Sequence, residues 1–283
     1  MTAPTDSYRQ FSKVTRGMWL ASAIMLVIAV STFFPILFTL NTSFKGSRDY
    51  MRDGLGLATN PTLNNFVTAW SSFNIGAYFL NSLIVTILGV AIVVLVSSMA
   101  GYALAMLSFR FRRLLFMMLL SGLVIPVQAI LVPLFQTVRG LNMLNSHLGL
   151  GILYGAFFSP FGVYLMTAYY SALPKELMES ARVDGASLLQ IFYLIVLPLG
   201  APALVTLSIL TTLNCWNDVL LSLLVMQEQR TLMVGIAALQ GEYSADIPLI
   251  AAAVVLGAAP VIAVFLFFQR KILGGITVGA VKG

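Results

Sequence analysis

Charged residues are scarce in this chain. Asp, Glu, Lys and Arg make up 9% of its 283 residues, whereas soluble domains carry about 25%. Hydrophobic residues make up 59% of the chain and the mean hydropathy is +0.94. An ordinary soluble fold is therefore excluded, and the sequence indicates a membrane protein. A closed β-barrel is excluded as well, because the apolar runs are unbroken rather than alternating.

Residues that commonly carry chemistry are also rare. Cys215 and His147 are the only cysteine and the only histidine. No intramolecular disulfide can form, and no cluster of Cys, His or carboxylates has metal-ligand spacing. The GxxxxGK[ST] pattern of an ATP-binding P-loop is missing. We therefore expect a non-catalytic chain that holds no cofactor or metal of its own.

Six apolar runs are long enough to cross a hydrocarbon layer of about 30 Å. They predict an all-α, polytopic membrane protein with six transmembrane helices, at 18–40, 78–106, 114–138, 149–169, 199–224 and 249–268. The first run is longer than a signal-peptide core and no small-residue cleavage site follows it, so it is predicted to remain as a span. A transmembrane domain over 18–268 would then lie between a cytoplasmic arm, 1–17, and a cytoplasmic tail, 269–283.

The distribution of basic residues predicts the orientation in the membrane, because cytoplasmic loops are richer in Lys and Arg. The side that holds the two termini carries eleven of the sixteen, and the other side carries five, namely Lys45, Arg48, Arg52, Arg139 and Arg230. Both termini are therefore predicted to be cytoplasmic. The pI of about 9.6 follows from this topology and does not indicate binding to nucleic acid.

The segment 170–198, between the fourth and fifth spans, is a polar interruption with helix punctuation of its own. Pro174 can open a short helix and Gly185 can end it. Ser187 and Gln190 have the spacing of a capping box, which places the start of a second helix at Leu188.

The first of these two helices has an amphipathic pattern. Leu173, Leu177 and Ala181 fall on one stripe with Met178 beside it. The pattern predicts a small knob with an apolar docking face and a glycine hinge.

The fifth span carries polar residues at helical spacing. Thr211, Asn214, Asp218 and Ser222 follow one another at intervals of 3, 4 and 4, with Asn217 adjacent. Asp218 is the only acidic residue within a predicted span, and a charge there costs roughly 2.5 to 3.5 kcal/mol. Two interpretations stay open: the stripe lines a solute path, or it makes buried polar contacts with a neighbouring helix.

Two exterior segments and two pairs of small residues add further expectations. Segment 41–77 is predicted to contain a short helix after the turn at 60–66, and segment 227–248 a short helix over 231–239 at the membrane surface. Segment 41–77 is either a connector or a contact for a partner. The small-xxx-small pairs at Ser97 with Gly101 and at Gly151 with Gly155 predict close helix packing, and Pro126, Pro133 and Pro160 predict bent spans.

The polar segment resembles the signature loop of ABC-importer permeases, which reads EAA, three residues, Gly, nine residues, Ile-x-Leu-Pro. Glu179, Ser180 and Ala181 stand at the EAA, Gly185 follows, and Ile195, Leu197 and Pro198 close the pattern. The only departure is Ser180, a small residue in place of Ala.

The resemblance narrows to carbohydrate-importer permeases of the maltose permease type, specifically the subunit with a GAVKG-like tail. The supporting segments cover much of the chain from Asn60 onward: NSLIV (81–85), IPVQAILVPL (125–134), WND (216–218) and QRKILGGITVGAVKG (269–283).

The resemblance implies a multi-pass subunit of a bacterial inner membrane that forms half of a translocation pore for a sugar or oligosaccharide. Its implied partners are a second homologous permease, two ATPase subunits that hold ATP and Mg²⁺, an extracytoplasmic sugar-binding protein at segments 41–77 and 227–248, and membrane lipid. The tail is expected to reach towards the ATPase interface. The implied coupling-helix residues are Glu179, Ser180, Ala181, Arg182, Asp184 and Gly185.

Other transport classes fit the sequence less well. A permease for a related polar solute such as glycerol phosphate would favour Arg or Lys in the path, and no predicted span contains either. A secondary transporter normally shows internal repeats and several mid-membrane ionisable groups. A membrane enzyme needs a cluster of catalytic side chains on the spans, which this sequence does not show.

Overall fold

The structure is a computed structural model that describes the backbone of residues 6–242 and 246–280. Side chains are described for 18–241, apart from residue 20, and for 246–268. No strand occurs among these residues, and the predicted all-α fold is confirmed. The α-helices are α1 (Asp6–Ser43), α2 (Ser47–Arg52), α3 (Asn64–Ser72), α4 (Ile75–Met106), α5 (Arg112–Ser121), α6 (Leu131–Gly140), α7 (His147–Ser171), α8 (Glu176–Val183), α9 (Leu188–Ile191), α10 (Leu197–Leu199), α11 (Ala201–Asn217), α12 (Leu220–Val225), α13 (Leu232–Glu242) and α14 (Ile247–Ala280).

Within the described chain, four helices are long and apolar enough to cross a membrane. They lie at Ala21–Ser43, Ile75–Met106, His147–Ser171 and Ile247–Phe268, and a bent pair, Leu188–Leu199 with Ala201–Asn217, makes a fifth if it is counted as one span. The third predicted span, 114–138, is not one helix. It consists of α5, a 3₁₀ turn at Val127–Ile130 and α6. The break at Pro126 agrees with the predicted interruption, because proline lacks the N–H that a continuous helix needs.

The chain forms two compact units. One comprises Met1–Ser72 with Tyr243–Val255, and the other Phe73–Glu242 with Leu256–Gly283. In the first unit, the side chains of residues 21–37 on α1 are exposed along the whole stretch.

Segment 41–77, which the sequence predicts to be exterior, is held together within the first unit by polar contacts. Lys45 is buried, and its Nζ donates to the carbonyls of Asp53 at 2.8 Å and Gly54 at 3.2 Å. The Asn65 amide, on the short helix α3, donates to the carbonyl of Ser43 at 2.9 Å and to that of Lys45 at 2.8 Å. The short helix expected after Asn60 is confirmed as α3, and the segment before it is ordered by these contacts.

The second unit is built on α4 and α7, which pack closely through small residues. A Cβ atom on Gly101 would lie 2.6 Å from Cβ of Met166, and one on Gly151 would lie 2.9 Å from Cβ of Leu88. The contact positions rise together along both helices, so α4 and α7 run parallel. The close packing predicted from the small-residue pairs is confirmed.

Helices α11 and α13 pack against this pair. Tyr170 lies beside Gly200 and Tyr154 beside Cys215, so α11 runs antiparallel to α7. The helix predicted over 231–239 exists as α13, but its apolar side chains are buried rather than laid on a membrane surface. The hydroxyl of Ser82 on α4 accepts a hydrogen bond from the backbone N–H of Leu232 at 2.8 Å, which fixes the start of α13.

The predicted arm and tail fall mostly outside the described side chains. From Asp6 the backbone of the arm continues into α1, and the backbone of the tail continues α14 to Ala280. The side chains of 1–17 and 269–283, the polar stretch 243–245 and the last residues 281–283 lie outside the described part of the chain.

Candidate functional site

The polar segment 170–198 forms two capped helices joined at a glycine. Helix α8 begins at Glu176, two residues later than predicted from Pro174, because its first i to i+4 bond runs from the N–H of Glu179 to the carbonyl of Lys175 at 3.1 Å. The C-terminal end of α8, at Val183 just before Gly185, agrees with the prediction. Gly185 has φ +82°, which glycine adopts without the penalty that other residues incur.

Two backbone bonds close the C-terminus of α8. The N–H of Gly185 donates to the carbonyl of Arg182 at 3.1 Å, and the N–H of Ala186 donates to that of Ala181 at 2.9 Å. This pair defines a Schellman motif. The motif fixes the angle at which the chain leaves α8.

The predicted capping box at the start of α9 is confirmed. The N–H of Gln190 donates to Oγ of Ser187 at 3.3 Å, and the N–H of Ser187 donates to Oε1 of Gln190 at 2.8 Å. Helix α9 begins at Leu188, as predicted. The segment is therefore a defined two-helix loop.

One face of this loop is seated on the transmembrane helices. Met178 is buried in a cluster with Tyr102 on α4, Tyr170 on α7 and Phe192 beyond α9. The Tyr102 hydroxyl also donates to the carbonyl of Leu188 at 3.1 Å. A displacement of the loop must therefore move α4 and α7 or break this cluster.

The opposite face is exposed and includes apolar residues. Val183 is 88% exposed and Leu177 is 45% exposed. The predicted stripe of Leu173, Leu177 and Ala181 is wrong as a single face, because Leu173 and Ala181 pack against the buried cluster while Leu177 does not. We call the exposed side the coupling surface; it comprises Leu177, Glu179, Ser180, Arg182, Val183 and Asp184.

The end of the signature forms an elbow. A π-helical stretch at Phe192–Val196 leads into α10, and the chain bends by 74° at Gly200 before α11. A Cβ atom on Gly200 would lie 2.5 Å from Cε1 of Tyr170, so a larger residue there would push α11 away from α7. The sequence interpretation missed this bend and ran the fifth span as one helix from 199 to 224, although Pro198, Gly200 and Pro202 signal a break.

The predicted polar stripe on the fifth span is wrong as a single helical face. Helix α11 ends at Asn217, Asp218 has extended backbone (φ −68°, ψ 131°), and α12 begins at Leu220. The 3-4-4 spacing therefore does not place the four residues on one face, because the helical period does not continue through the break.

The Asp218 carboxylate is occupied by bonds within the protein. It accepts from the N–H of Ser222 at 2.8 Å, the hydroxyl of Ser222 at 3.0 Å, the N–H of Leu221 at 3.3 Å and the hydroxyl of Tyr154 at 3.2 Å. Two of these donors are backbone N–H groups in the first turn of α12, and Tyr154 lies on α7. The carboxylate therefore caps α12 and joins it to α7.

The structure divides the predicted path residues into two groups. Asp218 and Ser222 meet at the buried Tyr154, which sequence reasoning missed because nothing distinguishes one tyrosine in an apolar span. Thr211 is buried separately on α11. Asn214 and Asn217 are exposed, and the amide of Asn217 donates to the carbonyl of Leu213 at 2.9 Å. Among the described residues no group of three or more His, Cys, Asp and Glu could hold a metal ion.

This fold and this loop together define a class of protein. Its members are helical membrane subunits that hold a hinged, half-exposed two-helix loop against their membrane spans. Residues 94–273 match the family of binding-protein-dependent transport system inner membrane components. The chain belongs to this family, and it is a multi-pass, non-catalytic permease subunit of an ABC transporter whose ATPase is a separate chain.

Characterised relatives match along nearly the whole chain. The arabinooligosaccharides transport system permease protein AraQ of Halalkalibacterium halodurans is 36% identical over 94% of this chain and 96% of its own. The diacetylchitobiose uptake system permease protein NgcG of Streptomyces coelicolor is 31% identical over 99% and 92%. The melibiose/raffinose/stachyose import permease protein MelC of Bacillus subtilis is 32% identical over 95% and 98%.

Solved structures share the fold. A chain of a bacterial ABC transporter involved in the import of the acidic polysaccharide alginate superimposes with a TM-score of 0.79 at 20% identity, covering 95% of this chain and 99% of that one. A chain of the alginate transporter in complex with an alginate pentasaccharide-bound periplasmic protein gives 0.65 at 17% identity, covering 93% and 98%. Permeases of this kind work with a partner permease and with ATPase subunits.

Proposed function

We propose that this chain forms half of the pore of an ATP-driven importer for a sugar or oligosaccharide, and that the coupling surface docks on an ATPase subunit. The observation that carries the proposal is the two-faced loop, with Met178 buried in the transmembrane helices and Val183 exposed on the opposite side. The sugar assignment is supported by the relatives above, which carry arabinooligosaccharides, diacetylchitobiose or melibiose, raffinose and stachyose.

The loop is built to transmit a displacement. A partner that moves the coupling surface also moves Met178, and through it Tyr102 and Tyr170, because these side chains share one buried cluster. The elbow at Gly200 separates this moving part from α11. Closing of the ATPase subunits around ATP and Mg²⁺ would thus tilt α4 and α7 and switch the side of the membrane to which the pore opens.

We propose six membrane crossings, and the directions of the helices support this number. Because α4 and α7 run side by side in the same direction, the chain between them must cross back once, and α5, the 3₁₀ turn and α6 supply that crossing. The α9 to α12 segment returns antiparallel to α7. With α1 and α14 the proposed count is six, which would return both termini to one side. The excess of Lys and Arg supports a cytoplasmic location for that side.

We place Asn214 and Asn217 on the solute path. They are exposed polar residues on a spanning helix, and such residues face water or protein rather than lipid. Thr211, Asp218 and Ser222 belong to the same span but are buried or fully engaged, so they support the path without facing it. Amide side chains suit a neutral sugar, because they both donate and accept hydrogen bonds.

The exterior segment offers a surface for a sugar-binding protein. Met51, Leu55 and Leu57 are strongly exposed on a segment that Lys45 and Asn65 hold in place. Exposed apolar groups on an ordered surface are typical of contact sites. The segment 227–248 is the second expected contact, and the second permease and lipid would cover the exposed apolar helix faces.

Co-purification from the native membrane tests the proposal. The tagged chain is solubilised in mild detergent and the bound chains are identified by mass spectrometry. We expect to recover a second permease and an ATPase, with as many ATPase subunits as permease subunits in total. ATP hydrolysis by the complex should be stimulated when a sugar-loaded binding protein is added. Recovery of this chain alone, stable and monodisperse, would contradict the proposed assembly.

A further inference from the structure

A cavity opens at the turn between α4 and α5. Its volume is about 590 Å³, and its lining residues are Leu104, Phe109, Phe111, Arg112, Arg113, Phe116 and Thr167. Leu104 and Thr167 lie within four residues of the ends of α4 and α7, which is about 6 Å at 1.5 Å per residue. The cavity therefore lies where the spans leave the hydrocarbon layer.

Basic side chains are part of the lining of this cavity. Arg112 and Arg113 form the first turn of α5. Arg112 also lines a smaller adjoining cavity of about 200 Å³, together with Lys175 and Arg182 of the α8 loop and one carboxylate, that of Glu179. The Arg112 guanidinium, which has five N–H groups, donates one hydrogen bond to the carbonyl of Ala105, at 3.3 Å. Positive charge therefore predominates around the two cavities.

Aromatic side chains line the cavity beside the arginines. Phe109 and Phe111 are exposed large apolar groups, and the Arg110 guanidinium lies over the Phe111 ring at 5.1 Å. An inorganic anion would need the arginines but not the phenyl rings. A phospholipid uses both, because its phosphate pairs with arginine and its glycerol and acyl groups lie on apolar surface.

We propose that this cavity binds an anionic phospholipid, with the phosphate at Arg112 and Arg113 and the acyl chains along Phe109 and Phe116. Because Arg112 also borders the cavity that α8 helps to form, the bound lipid lies next to the base of the coupling loop. The assignment to the cytoplasmic leaflet rests on the proposed orientation, whereas lipid binding itself does not depend on transport.

Lipid retention in the purified complex tests this inference. The double variant Arg112→Gln, Arg113→Gln is compared with Arg52→Gln, Arg139→Gln, which removes the same charge from exposed residues that line neither cavity. After delipidation, each complex is titrated with phosphatidylglycerol and analysed by native mass spectrometry. We expect about tenfold weaker retention in the first variant and no change in the second.

Three outcomes would overturn the inference. Equal retention in both double variants would show that the lipid binds by charge in general. If the unaltered complex retained phosphatidylcholine as strongly as phosphatidylglycerol, the net negative charge of the lipid headgroup would have no role in binding. Loss of the ATPase subunit with normal lipid retention in the Arg112, Arg113 variant would assign the cavity to an acidic segment of the partner. None of these readouts requires uptake, so they stand apart from the test of the proposed function.

Discussion

The variant Gly185→Trp is expected to reach the membrane and assemble at normal levels but to lose sugar uptake by about tenfold or more. At φ +82° a residue with a Cβ atom is strained by about 1–2 kcal/mol, so the angle between α8 and α9 shifts. The indole also extends into open space, because no atom lies within 4 Å of a Cβ at this position. That space is where we place the ATPase. The measurement is uptake of labelled sugar set against immunoblotted protein level.

A matched variant separates the backbone angle from a general effect of substitution. Gly185→Asn adds a side chain that tolerates positive φ, and we expect it to keep most of the uptake. Normal uptake in the tryptophan variant would remove the coupling role from this loop. Loss of both protein and uptake in the two variants alike would instead indicate a folding role for Gly185.

The variant Asp218→Ala is expected to destabilise the protein by on the order of 3 kcal/mol, because hydrogen bonds to charged groups are each worth about 1.5–3 kcal/mol. The change strips the acceptor from the backbone N–H groups of Leu221 and Ser222 and from the Tyr154 hydroxyl. Thermal unfolding of the purified complex in detergent, followed by tryptophan fluorescence, measures the loss. Uptake should fall in step with the amount of folded protein.

Two neighbouring variants make this prediction specific. Asp218→Asn retains a side-chain oxygen that can accept from the start of α12, so it should recover much of the stability. Asn217→Ala removes an exposed amide one residue away and should leave stability unchanged while it lowers uptake. If Asp218→Ala kept full stability and abolished uptake, the carboxylate would face the solute and our division of the stripe would be wrong.

Local signals predicted the loop well. Gly185, Ser187 and Gln190 act through bonds to residues within a few positions, so their roles are encoded in short spacings. The same holds for the small-residue pairs of α4 and α7, since a helix partner can approach closely only where side chains are small.

Properties that depend on distant residues were not predictable in the same way. Whether Leu177 or Ala181 faces the transmembrane helices depends on where Tyr102 and Tyr170 lie, and these residues are far away in sequence. The role of Asp218 depends on Tyr154, 64 residues before it. The break in the helix at Asp218 is also hidden from any method that counts apolar residues. The break involves only a few residues, so the stretch around it still counts as one continuous span.

Cross-linking from the coupling surface tests the central claim most directly. Val183→Cys places a thiol at a position that is 88% exposed, and the native Cys215 is buried, so a single reactive thiol results. Leu57→Cys, at an 82% exposed site on the exterior segment, is the matched control. With a short bifunctional reagent in the assembled transporter, we predict that Val183→Cys links to the ATPase subunit in an ATP-dependent manner and that Leu57→Cys never does. Labelling of Val183→Cys by a membrane-impermeant reagent from outside the cell, without any link to the ATPase, would contradict this account.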